Sequence, residues 1–539
     1  MDKGSDILEG EQVTESADKN APKLNKDSDY LIKAHEEASH KKRDQAFASG
    51  IASELAAWYE RLRTAIENRD EEVILRAAVE RILRRRLLLG GNGKTVGPLL
   101  VRELIWARYF PEESISDNQI IDVEETIDLY VELRQLIPKH NKVNESELNE
   151  WIYHLMASDI EDRLNPTPQK EAMMSYIFRN LNKMVTIRDD TEETRDAQVF
   201  IAIRKAFAKE DLPFLRYALF NQYFGRLSKT TLQETGEKFS EGKKVIEEQL
   251  NYPGRFKIFE FVKRQIPPFL ILEDIFEKYN SKIKDLISKP EEFANVINET
   301  CEARYANISG KVRRAIIRSI IFILLSKSFL ALTVEGAYDR FVYGHIVWGS
   351  IAINIAIPVG MMIIVSFFIR APGKENTNRI IDRTNSLLFD DAPDLGRSLA
   401  FHHKPRAKSL LDTIFTAIWL GTYLLSFGAI IYVLSRLNFN FVSQGFFIFF
   451  FALITFLSYR INQAANVYTV REKTRLLTPF IDFFFMPIAR VGRYLSEGVR
   501  QINVFIFVLD MLIEAPLKGI IAIFEQWFTF LHSKREDLT

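Results

Sequence analysis

The chain has 539 residues, and its 71 Lys and Arg balance 71 Asp and Glu, so the formal net charge is zero. A neutral chain has no global pull toward nucleic acid, and no nucleic-acid partner is expected; any basic surface must be local. The single cysteine, Cys301, excludes a disulfide framework and any multi-thiolate metal site, and the length calls for more than one unit.

The N-terminus has neither a basic n-region nor an apolar run, so no cleaved secretory signal is expected. Residues 1–45 are rich in Asp, Glu, Lys, Ser and Asn, and their few apolar residues follow no period. Such a segment buries too little surface to offset its ordering entropy and is read as a disordered tail.

Residues 46–311 are read as a cytoplasmic helical domain. Leu55, Trp58, Tyr59, Leu62 and Ile66 recur at spacings of three and four, the mark of one buried helix face. Ser116 with Gln119 and Ser288 with Glu291 have capping-box spacing, and Thr167-Pro168 reads as another helix start. Leu212-Pro213 and Ile266-Pro267-Pro268 break the run, no stretch alternates as a strand does, and a split is expected near 229–255.

The glycine-rich turn around Gly90, Gly91 and Gly93 has Lys94 and Thr95 after it, but Leu88 stands where a phosphate loop needs its first glycine. It is read as a helix–helix turn with Gly90 as the cap.

Beyond residue 310 the character changes. Apolar runs cover 315–334, 346–369, 410–434 and 441–459. At 1.5 Å per residue these reach about 28–38 Å, enough for a hydrocarbon core of about 30 Å. The first holds Lys327, whose cost of about 2.5–3.5 kcal/mol is offset by a dozen Ile, Leu, Phe and Val at about 0.3–0.6 kcal/mol each. Lys311, Arg313, Arg314 and Arg318 crowd its approach, while Arg340 is the one base in the following loop. The loop 370–409 is basic again, with Lys404, Arg406 and Lys408 among others, and Arg460, Arg471, Lys473 and Arg475 follow the fourth run. This alternation predicts four spans with both termini cytoplasmic, in the cytoplasmic membrane. Arg313, Arg314, Arg318, Lys404, Arg406 and Lys408 are the candidate lipid-headgroup contacts.

Residues 461–539 are read as C-terminal amphipathic, interfacial helices with a short polar tail. The stretch 502–524 is long enough to span, but Asp510, Glu514 and Lys518 make insertion at best neutral. Asn503, Asp510, Glu514, Lys518 and Glu525 share one helical face, so 499–531 reads as an amphipathic helix with an interfacial acidic stripe at Asp510 and Glu514. The alternative is a fifth span whose stripe faces a polar interior.

The candidate intramembrane site is Lys327, with Glu335 or Asp339 as its partner and Asn354 and Pro358 of the second run at a similar depth. A charge inside a bilayer is a functional-site hypothesis by default; the structural reading is that Lys327 snorkels or pairs and Asn354 bonds a neighbouring helix. His402, His403, Asp390, Asp391 and Asp394 have no metal-ligand spacing and are placed in a solvated loop. No hydrolase or metalloprotease motif is present, so no catalytic residue, metal or cofactor is assigned.

The sequence therefore predicts an all-α protein: a soluble helical N-terminal domain, a multi-pass bundle of about four spans, and C-terminal amphipathic helices. The expected role is a non-enzymatic membrane-anchored scaffold, assembly factor or sensor. Its expected partners are the lipid bilayer and proteins docking on the helical domain, with homo-oligomerisation also open. The alternative is a channel or small-solute transporter with a polar path near Lys327 and Asn354.

Overall fold

The computed structural model describes residues 24–39, 74–88, 90–111, 114–138, 145–345, 348–369, 372–402, 410–437, 439, 441–470 and 478–501. The fold is all-α, 82% helical. In chain order the elements begin with α1 (Lys26–Ser39), α2 (Ile74–Leu87), α3 (Gly93–Trp106), α4 (Asp117–Leu136), α5 (Glu145–Leu164) and α6 (Pro168–Leu181). Strand β1 (Val185–Arg188) precedes α7 (Glu192–Ala206), α8 (Leu212–Phe224), α9 (Leu232–Leu250), α10 (Arg255–Gln265), α11 (Pro267–Tyr279) and the short α12 (Ile283–Ile287). A 41-residue helix, α13 (Pro290–Leu330), runs through a π-helical turn, Ala331–Glu335, into α14 (Gly336–Tyr343). After it come α15 (Trp348–Phe368), α16 (Lys374–Phe389), β2 (Leu399–His402), α17 (Leu410–Arg436), α18 (Phe441–Ala465) and α19 (Thr478–Gln501).

Two apolar cores organise the polar half. The first is closed by α2–α5 with α8 and α9. Its centre is α5, buried on most of its circumference, with Trp151, Leu155 and Ile160 fully enclosed. The Trp151 indole N–H donates to Glu247 Oε1 at 2.9 Å, and its ring meets Phe239 edge-on. Helices α3 and α4 pack so closely that a Cβ at Gly93 would lie 2.0 Å from the Glu124 carbonyl oxygen. Ser116 and Gln119 form the expected reciprocal cap of α4.

The second core takes in α1, α6, α7 and α10–α13, and it also contains Ile380, Leu387 and Leu388 of α16, Leu395, and Val470 beyond α18. The chain thus crosses between cores several times. The crossing from Leu250 in the first to Tyr252 in the second falls inside the expected split at 229–255, but α6 and α7 already belong to the second core before α8 and α9 return to the first.

Several sequence expectations are corrected here. The tail read as disordered contains α1, whose Leu31 and Ile32 are buried in the second core. Its order comes from distant partners. Asn25 Nδ2 donates to the carbonyls of Leu387 and Asp390, both at 2.8 Å, and Ser28 Oγ lies 2.9 Å from Tyr176 Oη. The loop 370–409 is not simply solvated: α16 is amphipathic and buries Ile380, Leu387 and Leu388 completely. The domain at 46–311 is consequently incomplete without it. Asn376 fastens this insert, donating through Nδ2 to Tyr305 Oη at 2.7 Å and to the Tyr468 carbonyl at 2.8 Å, while its Oδ1 accepts the Val470 N–H at 2.7 Å. Strands form after all, because β2 of the insert pairs in parallel with β1, Val185 opposite Leu399 through Arg188 opposite His402. The Ser288–Glu291 box is absent; α13 starts with Pro290 in its first turn, and Ser288 Oγ donates to the Asp285 carbonyl instead. The helix expected around 51–66 and the stretch 499–531, apart from the end of α19, lie outside the described residues.

Among the described residues three helices are long and apolar enough to cross a membrane: Pro290–Val342, Thr413–Arg436 and Phe441–Ala465; Ile351–Ile364 within α15 is a shorter apolar helix. α19 packs along α18 and against α17. A Cβ at Gly492 would lie 2.0 Å from the Ala452 carbonyl oxygen, and Ser426 Oγ donates to the Phe484 carbonyl at 3.0 Å. Residues 478–501 are therefore part of the bundle and not a separate surface helix.

Candidate functional site

Lys327 lies near the end of α13, and its side chain is completely buried. The sequence offers two carboxylates as its partner, Glu335 and Asp339. The backbone selects Glu335. Eight residues of regular α-helix would turn Glu335 about 80° away from Lys327. The π turn at Ala331–Glu335 takes up one extra residue and brings it back to within about 20°. Lys327 Nζ then donates to Glu335 Oε1 at 2.8 Å, with Glu335 equally buried.

The opposite wall is α18. Ser443 Oγ donates to Glu335 Oε2 at 3.2 Å. The rings of Phe446 and Phe450 lie 5.4 and 5.2 Å from Lys327 Nζ, within cation–π range. Ser443, Phe446 and Phe450 recur at spacings of three and four, so one face of α18 supplies a hydroxyl and two aromatic faces to the ion pair. That spacing was visible in the sequence; its partner was not, because Phe is so abundant between 441 and 456 that no phenylalanine stands out. The closed pair fastens α13 to α18 in apolar surroundings, where removing one charge leaves the other stranded.

Asn354 lies on α15, which packs against the π turn, but its side chain and that of Asp339 lie outside the described residues. So do Asp510, Glu514, Lys404, Arg406 and Lys408. Arg313, Arg314 and Arg318 are exposed on α13, the first two between the second core and the apolar stretch and Arg318 in its first turn. The Gly90 turn caps α2 with a positive φ of 78°, and the Gly93 N–H at the start of α3 donates to Asp128 Oδ1 at 2.6 Å, so a carboxylate of the chain occupies the place a phosphate would take. His402 Nδ1 lies 2.8 Å from Asp189 Oδ2, and no group of three or more His, Cys, Asp and Glu is placed to hold a metal among the described residues.

Sequence reasoning also missed a polar cluster inside the first core. Arg76, 2% exposed, bridges Glu80 and Asp211 at 2.5 and 2.6 Å. Arg216 Nη1 donates to His154 Nδ1 at 2.8 Å; a guanidinium can only donate, so the imidazole is neutral on that side. Burial holds His154 down at about 4, against the pull of Glu80. Nearby Glu161 is pushed up to about 8 by burial despite Arg76, and its Oε2 has no hydrogen-bond partner. The cluster is legible only once α2, α5 and α8 are assembled.

Compared with models of protein families, with curated proteins and with solved structures, the chain matches none.

Proposed function

We propose that this chain is a non-enzymatic, membrane-anchored scaffold or sensor, in which a two-core cytoplasmic domain is fastened to a bundle of four spans. The observation that carries the reading is the composition of the second core. The chain leaves that core along α13, returns at α16, leaves again along α17, and returns at Val470. Each excursion consists of an apolar helix out and an apolar helix back. Two out-and-back excursions support four crossings with the domain, the insert and residue 470 on one side. The sidedness it gives does not draw on the charges of the loops, and it agrees with the basic flanks at Arg313–Arg318 and Arg460. The 41-residue α13 joins Phe293, Ile297 and Tyr305 in the domain to Lys327 in the bundle as one helix, so displacement at the Lys327–Glu335 pair is transmitted to the second core.

The test combines topology with flux in the full chain. On a Cys301→Ser background, single cysteines at Tyr343 and Asn438 are expected to label from outside, and one at Gln463 is not. In liposomes the purified chain is expected to carry no ion or small-solute current beyond that of empty vesicles. A flux that Lys327→Leu abolishes would replace the scaffold reading with a solute path along the buried pair; outside labelling at Gln463 would break the four-span arrangement itself.

A further inference from the structure

Arginines of the first core sit against carboxylates: Arg76 with Glu80 and Asp211, Arg85 and Arg86 with Glu103, Arg216 with Glu247. The stretch where α13 leaves the second core differs. Lys311, Arg313, Arg314 and Arg318 are all exposed, and none has an acidic partner among the described residues. In a chain with no net charge this is a local concentration of uncompensated positive charge.

Its position is narrowly defined. Tyr305 is the last residue of α13 in the second core, and Val312, Ala315 and Ile316 begin the packing of α13 against α15 and α18. The bases straddle the start of that packing, a neck in which Lys311 lies just before Val312 and Arg313, Arg314 and Arg318 lie on the exposed side of its first turns. From 311 to 318 the helix rises about 10 Å, comparable to the polar layer on one side of a bilayer, about 5–8 Å, with flexible stems to adjust the fit. At 100° per residue Lys311, Arg314 and Arg318 fall within about 60° of one another, whereas Arg313 points elsewhere. Gly310 leaves their face open: the Arg314 guanidinium lies 3.8 Å from where a Cβ at Gly310 would be. On the neighbouring α18, Arg460 is exposed one residue before Ile461, which belongs to the same packed neck.

We infer that this neck is a binding site for anionic lipid, with Lys311, Arg314 and Arg318 holding the headgroup phosphate and Arg460 facing the same layer. The chemistry required is a phosphate monoanion or dianion held by ammonium and guanidinium donors, which arginine supplies in a planar fork. The source is the leaflet beside the helical domain, because exposed apolar residues lie among and just after the bases, Ile317, Ile321 and Phe322, and suit acyl chains. The inference rests on the membrane reading above, which the cysteine labelling tests separately.

The experiment measures lipid retained by the full chain, using native mass spectrometry after reconstitution into bilayers of phosphatidylcholine with or without phosphatidylglycerol. The wild-type chain is expected to retain phosphatidylglycerol preferentially, with the preference falling as salt is raised. The triple variant Lys311→Gln/Arg314→Gln/Arg318→Gln is expected to lose that preference by on the order of 100-fold, about one kcal/mol-equivalent factor of five per base. Charge-conserving Lys311→Arg/Arg314→Lys/Arg318→Lys is expected to keep most of it, which covers the case in which the neutral variant fails to insert. Neutralising Lys229, Lys238 and Lys244, exposed on the surface over the first core, removes the same charge elsewhere and is expected to change nothing. A wild-type chain indifferent to phosphatidylglycerol, or a correctly inserted triple variant that retains it fully, overturns the inference. Displacement of the lipid by millimolar inorganic phosphate would overturn the lipid source and mark a site for a soluble anion.

Discussion

The two cores of the polar half are built from similar helices but assembled from different kinds of sequence. Apart from Ile201, the first is drawn from residues 78–164 and 215–250, with nothing from the apolar helices between or beyond. The second gathers residues as distant as Leu31 and Val470, and apolar helices long enough to cross a membrane intervene between its parts. The first core needs only its own chain segment to close. The second depends on where the apolar helices go. The difference shows how a domain with an ordinary helical surface becomes conditional on the apolar helices between its parts: the condition lies in Asn376, Leu387 and Val470, none of which stands out in isolation.

The largest expected effect tests whether the bundle supports the second core alone. Lys327→Leu strands Glu335 and is expected to weaken the α13–α18 contact by about 3–5 kcal/mol, whereas Lys327→Leu/Glu335→Leu restores most of the loss. Hydrogen exchange should show protection falling around Tyr305 and α16 in the single variant while α5 is unchanged. Equal loss in both cores would erase the distinction between them.

Next, Leu387→Ala removes a fully buried side chain from the insert and is expected to cost about 3 kcal/mol in the second core. Exposure of α1 and α11 to limited proteolysis reports it. The matching substitution in the first core, Leu155→Ala, is expected to expose α5 and α9 and leave α1 docked. If either variant opens both cores together, they form one cooperative unit.

The smallest effect concerns pH, and it belongs to the first core. Folded Glu161 titrates at about 8 against 4.5 for its ordinary value. Between those values the folded chain holds a proton that the unfolded chain has released, so stability falls as pH rises from 4.5 to 8. His154, held at about 4 against 6.5, has the opposite slope, with stability rising between pH 4 and 6.5. Within the first core the window from pH 6.5 to 8.5 therefore isolates this carboxyl, the raised Glu273, at about 7, belonging to α11 of the second core. There Glu161→Gln is expected to remove the fall, so that its advantage over the wild type grows by roughly 2 kcal/mol between pH 6.5 and 8, read as hydrogen-exchange protection of α5. A flat wild-type profile across that window would show that Glu161 is not held neutral.

Much of this architecture could be read in the residues. Helical periodicity, the Ser116–Gln119 cap and the apolar runs are local patterns, and local patterns survive in a single sequence. Lys327 was identifiable because charge inside an apolar run is conspicuous, and Glu335 because it is the first carboxylate after that run. The register that joins them was not, since it requires the π turn, and no residue in Ala331–Glu335 announces one. The role of α1 was missed for a similar reason. Its few apolar side chains are too sparse to suggest a helix, and its stability comes from Leu387, Asp390 and Tyr176, more than a hundred residues away. The insert at 374–402 misled by composition: its charges describe the face it shows to water, while Ile380, Leu387 and Leu388 are spaced as a buried stripe within them.

The stitched second core also imposes an order on biosynthesis. As the chain emerges from the ribosome, the segments of the first core are complete once residue 250 is out, and that core can fold at once. The second has to wait with Phe269, Phe276 and Phe293 uncovered until α16 arrives, and on the proposed topology α16 arrives only after α13 and α15 have entered the bilayer as a hairpin. Val470 comes later still, behind a second hairpin. Completion of a cytoplasmic domain then serves as a receipt for membrane insertion. On that topology a chain whose hairpins stall keeps an open apolar face on the side of the first core, a mark that a correctly inserted copy lacks.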